Sequence, residues 1–296
     1  VCQSDLDVET EKIGHISTLA RLSDDGKFIT ATGDGFEYKV EKLYGTIVSI
    51  KIDGVEKLAS PMMLTCYRAP IDNERHAKWI RHEFNYGENL DAVFNKIYSC
   101  EIINGSIVSK GSLAGVARKP FMYFETVVTV GSDGRIEFNV NAHPREGCVW
   151  LPRFGYEFAL CEDNAKFSFF GKGPGENYCD LNRYSTYGMW HSDAASEYFA
   201  YIMPQEHGNH FGVRYLEFDN GMKFVADNPF ECNISKYSSA AIGKASHIDE
   251  VVSDGNTHVR IDYKNSGIGS HSCGPELLEK YRLNDTEILF KFSIRL

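Results

Sequence analysis

Apolar and polar residues alternate with a period of two along most of this chain, and few stretches carry helical spacing. Successive side chains of a strand point to opposite faces, so the alternation predicts strands with one buried face and one wetter face. Ile136, Phe138 and Val140 alternate with Glu137, Asn139 and Asn141. The turn residues Ser132-Asp133-Gly134 come just before them, after the apolar run 126–130, and the two runs read as a hairpin. At the far end Phe290, Phe292, Ile294 and Leu296 face one way, and Lys291, Ser293 and Arg295 the other. Asp53-Gly54 and Asn220-Gly221 are tight-turn pairs between apolar runs. The best helical candidate is residues 74–86, where Ile80 and Phe84 share a face. The pattern implies an all-β antiparallel fold, a sandwich or a barrel. With 296 residues the chain is too long for one small sandwich, which takes about 100. Two broad facing sheets are expected.

Hydrophobic residues make up 43% of the chain, enough for a sizeable core. The net charge of -10 argues against a nucleic-acid footprint. No apolar run approaches the ~20 residues of a spanning helix, so a membrane is not an expected partner either. The eight cysteines are scattered and form no C-x-x-C pair, which argues against a zinc site and against a disulfide scaffold. Free thiols in a reducing cytoplasm are the expected setting. Asn-x-Ser/Thr triplets at Asn104, Asn233 and Asn284 mean little without a sign of secretion. The opening VCQSDLDVETEKIGHIS has no start Met and no signal-peptide pattern, so the gene product is expected to begin upstream. A polar turn cluster then leads into the regular hairpin pattern. Residues 1–30 read as the tail of a preceding domain plus a linker, and residues 31–296 as the main domain. The alternative is that the first residues form an ordinary strand of that same domain.

Three segments hold more Gly, Pro and polar residues than a strand tolerates: FGKGPGENYCDLNR (170–183), MPQEHGNHFGVR (203–214) and NSGIGSHSCGPE (265–276). Each lies between apolar alternating runs, and loops of this make-up on a rigid β scaffold commonly carry binding or catalysis. The first crowds Glu176, Asn177, Tyr178, Asp180 and Arg183 together, and its glycines set the backbone. A phosphate-cradling loop needs a strand-loop-helix context, and none follows here. His207 and His210 lie three residues apart, which on a strand puts them on opposite faces and makes shared metal ligation awkward. No metal site is expected. Gln205, Glu206 and His207 suit hydrogen bonding to sugar hydroxyls or acid–base work near neutral pH. His271, Ser272 and Cys273 lie in a glycine-framed loop, and nothing further in the sequence supports an activated thiol there. Arg68 and Asp72 could pair across a turn, either within the fold or to brace a neighbouring domain.

Taken in order, RAPIDNE (68–74), LPRFGYEF (151–158), the 170–183 loop, MPQEHGNHFGVRYLEF (203–218), GIGSHSCGPE (267–276) and the closing FKFSIRL resemble the C-terminal small-chain domain of β-galactosidases of glycoside hydrolase family 2. The leading GHIS resembles the end of the immunoglobulin-like domain that precedes it in that family. The resemblance implies an antiparallel β supersandwich similar to galactose mutarotase. It implies that this domain packs against a (β/α)₈ barrel holding a retaining pair of catalytic glutamates, whose motifs this chain lacks. No catalytic residue is therefore expected here, and the isolated chain should be inactive. In family members a Trp of the GIG…P loop stacks on the sugar; here the loop is one residue shorter and Cys273 takes that position. Cys273, His271, Ser272, Glu176, Arg183 and His207 are thus the expected substrate-contacting residues. Expected partners are a galactoside, the remaining domains and further copies in a homo-oligomer. This chain is expected to hold no cofactor, while the complete enzyme uses Mg and Na ions. Two alternatives stay open. One is a free-standing aldose mutarotase using His207 or His210 with Glu176 or Glu206. The other is a carbohydrate-binding module.

Overall fold

A computed structural model describes residues 12–74, 87–270 and 275–296. Antiparallel strands dominate, as the alternation predicts. β1 (Arg21–Asp24), β2 (Phe28–Gly33), β3 (Phe36–Glu41), β4 (Thr46–Ile52) and β5 (Val55–Glu56) form a five-stranded meander. The domain boundary expected near residue 30 falls within β2, which pairs with β1 on one side and β3 on the other.

A second sheet collects β6 (Leu58–Thr65), β7 (Val93–Ile103), β8 (Ser106–Gly115), β9 (Met122–Val130), β10 (Ile136–Pro144) and β11 (Arg153–Leu160). It also takes in β12 (Lys166–Gly173), β13 (Thr186–Asp193), β14 (Asn209–Phe218), β15 (Lys223–Ser235), β16 (Thr257–Asn265) and β17 (Ile288–Arg295). Its main path runs β13-β12-β14-β15-β17-β10-β9-β8-β7, and β6, β11 and β16 branch from it at β15. The long strand β15 makes the fork. Its residues 223–225 pair with β17, while residues 231–235 pair with β16. The two branches face each other across an aromatic core. Phe138 of β10 stacks on Phe292 of β17 at 4.6 Å, and Tyr156 of β11 meets both rings edge-on at 5.3 and 5.7 Å. All three side chains are buried. Edge-on and stacked contacts of this kind add to the gain from burying aromatic surface.

Turn chemistry fixes the registers. Asp53 and Gly54 both take positive φ, 50° and 79°, as a two-residue primed turn requires. Asn104-Gly105 does the same between β7 and β8, with φ of 51° and 78°. Asn220-Gly221 belongs instead to a longer connection between β14 and β15, in which only Gly221, at 90°, has positive φ. The expected 126–140 hairpin is β9–β10, with Val130 opposite Ile136. The C-terminal alternation is β17, and Phe290, Phe292 and Ile294 are buried as read; Ser293, on the other face, is buried too. The helix expected over 74–86 lies almost wholly outside the described residues, and Glu74 closes a single 3₁₀ turn, Asp72–Glu74. The α-helix that forms, α1 (Ser239–Lys244), is one short turn set by Ser238, whose hydroxyl accepts from the Ala241 N–H. Among the described residues no helix is long and apolar enough to cross a membrane.

Candidate functional site

The glycine-rich segments are held together where the loops after β6, β12 and β16 meet. Arg68, fully buried, donates to Glu74 at 2.7 Å and to the carbonyls of Ser266 and Gly267 at 2.8 and 3.1 Å. Its partner is Glu74, two residues beyond the Asp72 that the sequence offered. Ser270 donates to the same Glu74 oxygen at 3.0 Å. Asp180 accepts from the backbone N–H groups of Ile268 and Gly269 at 3.1 and 2.9 Å. Loops far apart in sequence thus converge on the stretch just before residue 271.

Behind them lie two more buried ion pairs. Glu206 and Arg260 form a two-pronged pair, and Tyr178 donates to Glu206 at 3.4 Å. Burial pushes the Glu206 carboxyl up, but the charge and hydrogen bonds of Arg260 outweigh it and hold the group below its ordinary value. Arg153 pairs with Asp262 and also donates to the Tyr67 carbonyl at 2.7 Å. For Asp262 burial wins over Arg153 and Arg260, and its carboxyl is raised. Among the described residues no cation pairs with Glu231. It accepts from the Asn265 N–H at 3.0 Å and from Asn209 Nδ2 at 2.7 Å. Burial pushes its carboxyl up to about 7, against the pull of those two donors.

The residues expected to contact substrate fare differently. Glu176 and His207 are brought together around Tyr201. Glu176 accepts from the Tyr201 hydroxyl at 3.1 Å and from the Gly208 N–H at 2.9 Å. The His207 ring is buried among Tyr198, Phe199 and Tyr201, with Nδ1 2.8 Å from the Gln205 carbonyl. Gln205 accepts from the Asp72 N–H at 2.8 Å. His210 is buried with Nε2 3.0 Å from Glu197. The acid–base groups considered for anomer interconversion are therefore all engaged within the fold. Arg183 is exposed in the loop leading to β13. His271, Ser272 and Cys273 lie outside the described residues. Burial pushes the Cys179 thiol up to about 12, which leaves no thiolate for nucleophilic work. Among the described residues no three His, Cys, Asp or Glu side chains converge as a metal site requires.

The sequence reading passed over Glu74, Arg153, Glu231, Arg260 and Asp262. Four of these sit inside strands, and the signal was there: a charge in an otherwise inward-facing run, as in the PFECNIS of β15 or the VRID of β16. A buried charge needs a partner, so each such position foretells another.

A family profile described as beta galactosidase small chain matches residues 32–296. A beta-galactosidase of Actinobacillus pleuropneumoniae is 29% identical over 265 residues, covering 88% of this chain and 26% of that protein. One of Kluyveromyces lactis is 29% identical over 299 residues, covering 93% and 28%. The chain therefore spans about a quarter of the length of the curated relatives it matches. Among solved structures, a putative aldose 1-epimerase from Escherichia coli K12 aligns with a TM-score of 0.49 at 9% identity, covering 90% of this chain and 98% of that one.

Proposed function

This chain belongs to the beta galactosidase small chain family, and from that premise we propose that it is the domain of a β-galactosidase that packs on the catalytic barrel and completes the rim of the sugar site. The observation that carries the reading is the convergence of the loops after β6, β12 and β16 on residues 266–270. There Asp180 holds Ile268 and Gly269, and Glu74 holds Ser270. In this reading His271, Ser272 and Cys273 line the galactoside. Cys273 stands in for the stacking Trp of the family, which lowers rim affinity by ~1–2 kcal/mol and shifts aglycone preference. Arg183 reaches toward the same sugar, while Glu176, through both its oxygens, and His207, through Nδ1, position the loops.

Hydrolysis of terminal β-galactosides then belongs to the complete enzyme, with its two carboxylates, and its Mg and Na ions, held by other domains. A surface for those domains is available. Phe199 and Met203 are partly exposed around Tyr201, and Ile202 between them is 93% exposed. Such an apolar cluster suits an interface. The isolated chain is expected to self-associate through it; a monomer at high concentration in sedimentation would count against that interface.

The test is nitrophenyl-β-galactoside hydrolysis by this chain alone and after mixing with the remaining domains. The expected result is activity only in the mixture, and turnover by the chain alone sinks the reading. For the rim, Cys273→Trp in the complete enzyme should change aglycone preference; unchanged preference removes Cys273 from the sugar site.

A further inference from the structure

Where β15 leaves β17 for β16, its middle residues pair with neither, and a cleft of about 550 Å³ opens beside the fork. That size is in the range of small-molecule sites. The buried polar residues of its lining are Glu231 and Asn265, 3% and 4% exposed. Each Glu231 oxygen accepts one hydrogen bond, which leaves each with further acceptor capacity. Asn265 Nδ2 donates to Asn209 and Asp262, but its buried Oδ1 has no partner among the described residues. The lining also presents five aromatic rings, Tyr187, Phe211, Phe230, Tyr263 and Tyr281.

The charge at the mouth narrows the ligand class. Lys264 pairs with Asp285 at 3.1 Å and Arg282 with Glu276 at 3.1 Å, while Lys280 lies over the Tyr281 ring at 4.7 Å. An acidic ligand would meet two of these three cations already paired and the buried carboxyl of Glu231 below them. A neutral ligand with apolar faces and several hydroxyls meets both kinds of surface at once: rings for its C–H faces, and Asn265 and Glu231 for its hydroxyls.

We propose that this cleft at the fork of the sheet is a binding site for a neutral saccharide, with the pyranose faces against the aromatic walls and the hydroxyls on Asn265 and Glu231. The assignment does not rest on the rim reading, since it uses no residue of segment 271–274 and needs no other domain.

Calorimetric or NMR titration of the full chain with lactose, methyl β-galactoside and, as a control, glycerol tests it. Saturable millimolar binding of the saccharides but not of glycerol is expected. Tyr281→Ala should weaken it roughly tenfold. Asn228 is exposed at the mouth of the cleft. Asn228→Trp should therefore fill the cleft and abolish binding without changing Tm, which keeps the test open if the Tyr281 variant misfolds. No saturable binding up to the solubility limit of lactose overturns the site. Binding that survives Asn228→Trp does too, because the sugar then sits elsewhere. Tighter binding of galactose 6-phosphate than of galactose overturns the neutral class.

Discussion

The aromatic core between the two branches and the loop end behind residues 265–270 are both buried, yet they are held by opposite means. In the core, Phe138, Tyr156 and Phe292 fill space, and almost any apolar group of the right volume preserves most of the gain. At the loop end, Arg68, Arg153 and Arg260 are buried because each has found a carboxylate. The attraction in such a pair largely offsets the cost of taking two charges out of water. The core therefore supplies stability, and the paired charges fix which loops meet and where.

The sharpest way to break this comparison is to delete one member from each region and then a second. Phe292→Ala should cost about 3–5 kcal/mol from lost burial and the cavity left behind. Arg68→Met should cost a similar ~3–5 kcal/mol, because Glu74 is left charged and unpaired. The second step separates them. Adding Glu74→Leu to Arg68→Met should recover most of the loss, whereas adding Phe138→Ala to Phe292→Ala should deepen it. Denaturant midpoints measure all four, and a double charge deletion as unstable as the single one would refute the contrast.

Glu231 gives the next effect, because it is buried at the loop end with no cation paired to it among the described residues. Its folded pKa is about 7 against an ordinary value of 4.5, so the folded state holds the proton more tightly. The resulting stability is complete below the unfolded value and is lost as pH rises through the folded one. Relative to Glu231→Gln, the wild type should thus lose about 2–3 kcal/mol between roughly pH 5 and pH 8. A stability difference that stays flat with pH would show that the carboxyl keeps its ordinary value.

Asp180→Ala should cost about 1–2 kcal/mol through two unpaired N–H groups. If those bonds aim the loop, activity of the assembled enzyme should fall by more than the stability loss explains; proportionate losses would leave Asp180 a structural group only. Gly105→Ala should cost least, about 1 kcal/mol, through its positive φ. The added Cβ would also meet Leu19 of the N-terminal segment. A melting temperature equal to wild type would show that this contact relaxes freely.

Alternation made the sheets legible, since each hairpin is written within a few residues, as in β9–β10 and β17. Asn104-Gly105 was equally local, but it was read as a glycosylation triplet and not as a turn. The loop segments were also legible, because Gly and Pro in place of alternating residues mark a break in any sheet. The buried pairs were not, because the partner is remote: Arg153 and Asp262 are 109 residues apart, and Glu206 and Arg260 are 54 apart. The internal partners of His207 and Glu176 were hidden for a related reason. A polar residue in a loop looks available until the aromatic ring or backbone N–H that occupies it is known.

The placement of β17 bears on how the chain is made. The last strand of this chain is not an edge strand but the one seated between β15 and β10. β10 is finished some 150 residues before its neighbour exists, as Ile136 pairs with Ile294. Until then the β7–β10 sheet exposes an unpaired apolar edge, the surface on which strands from other chains can add. Closure comes only once β17 has been made, through contacts of high sequence separation that form slowly. A chain interrupted just before β17 would be missing the middle of its sheet, and quality control would meet it as two halves with open edges.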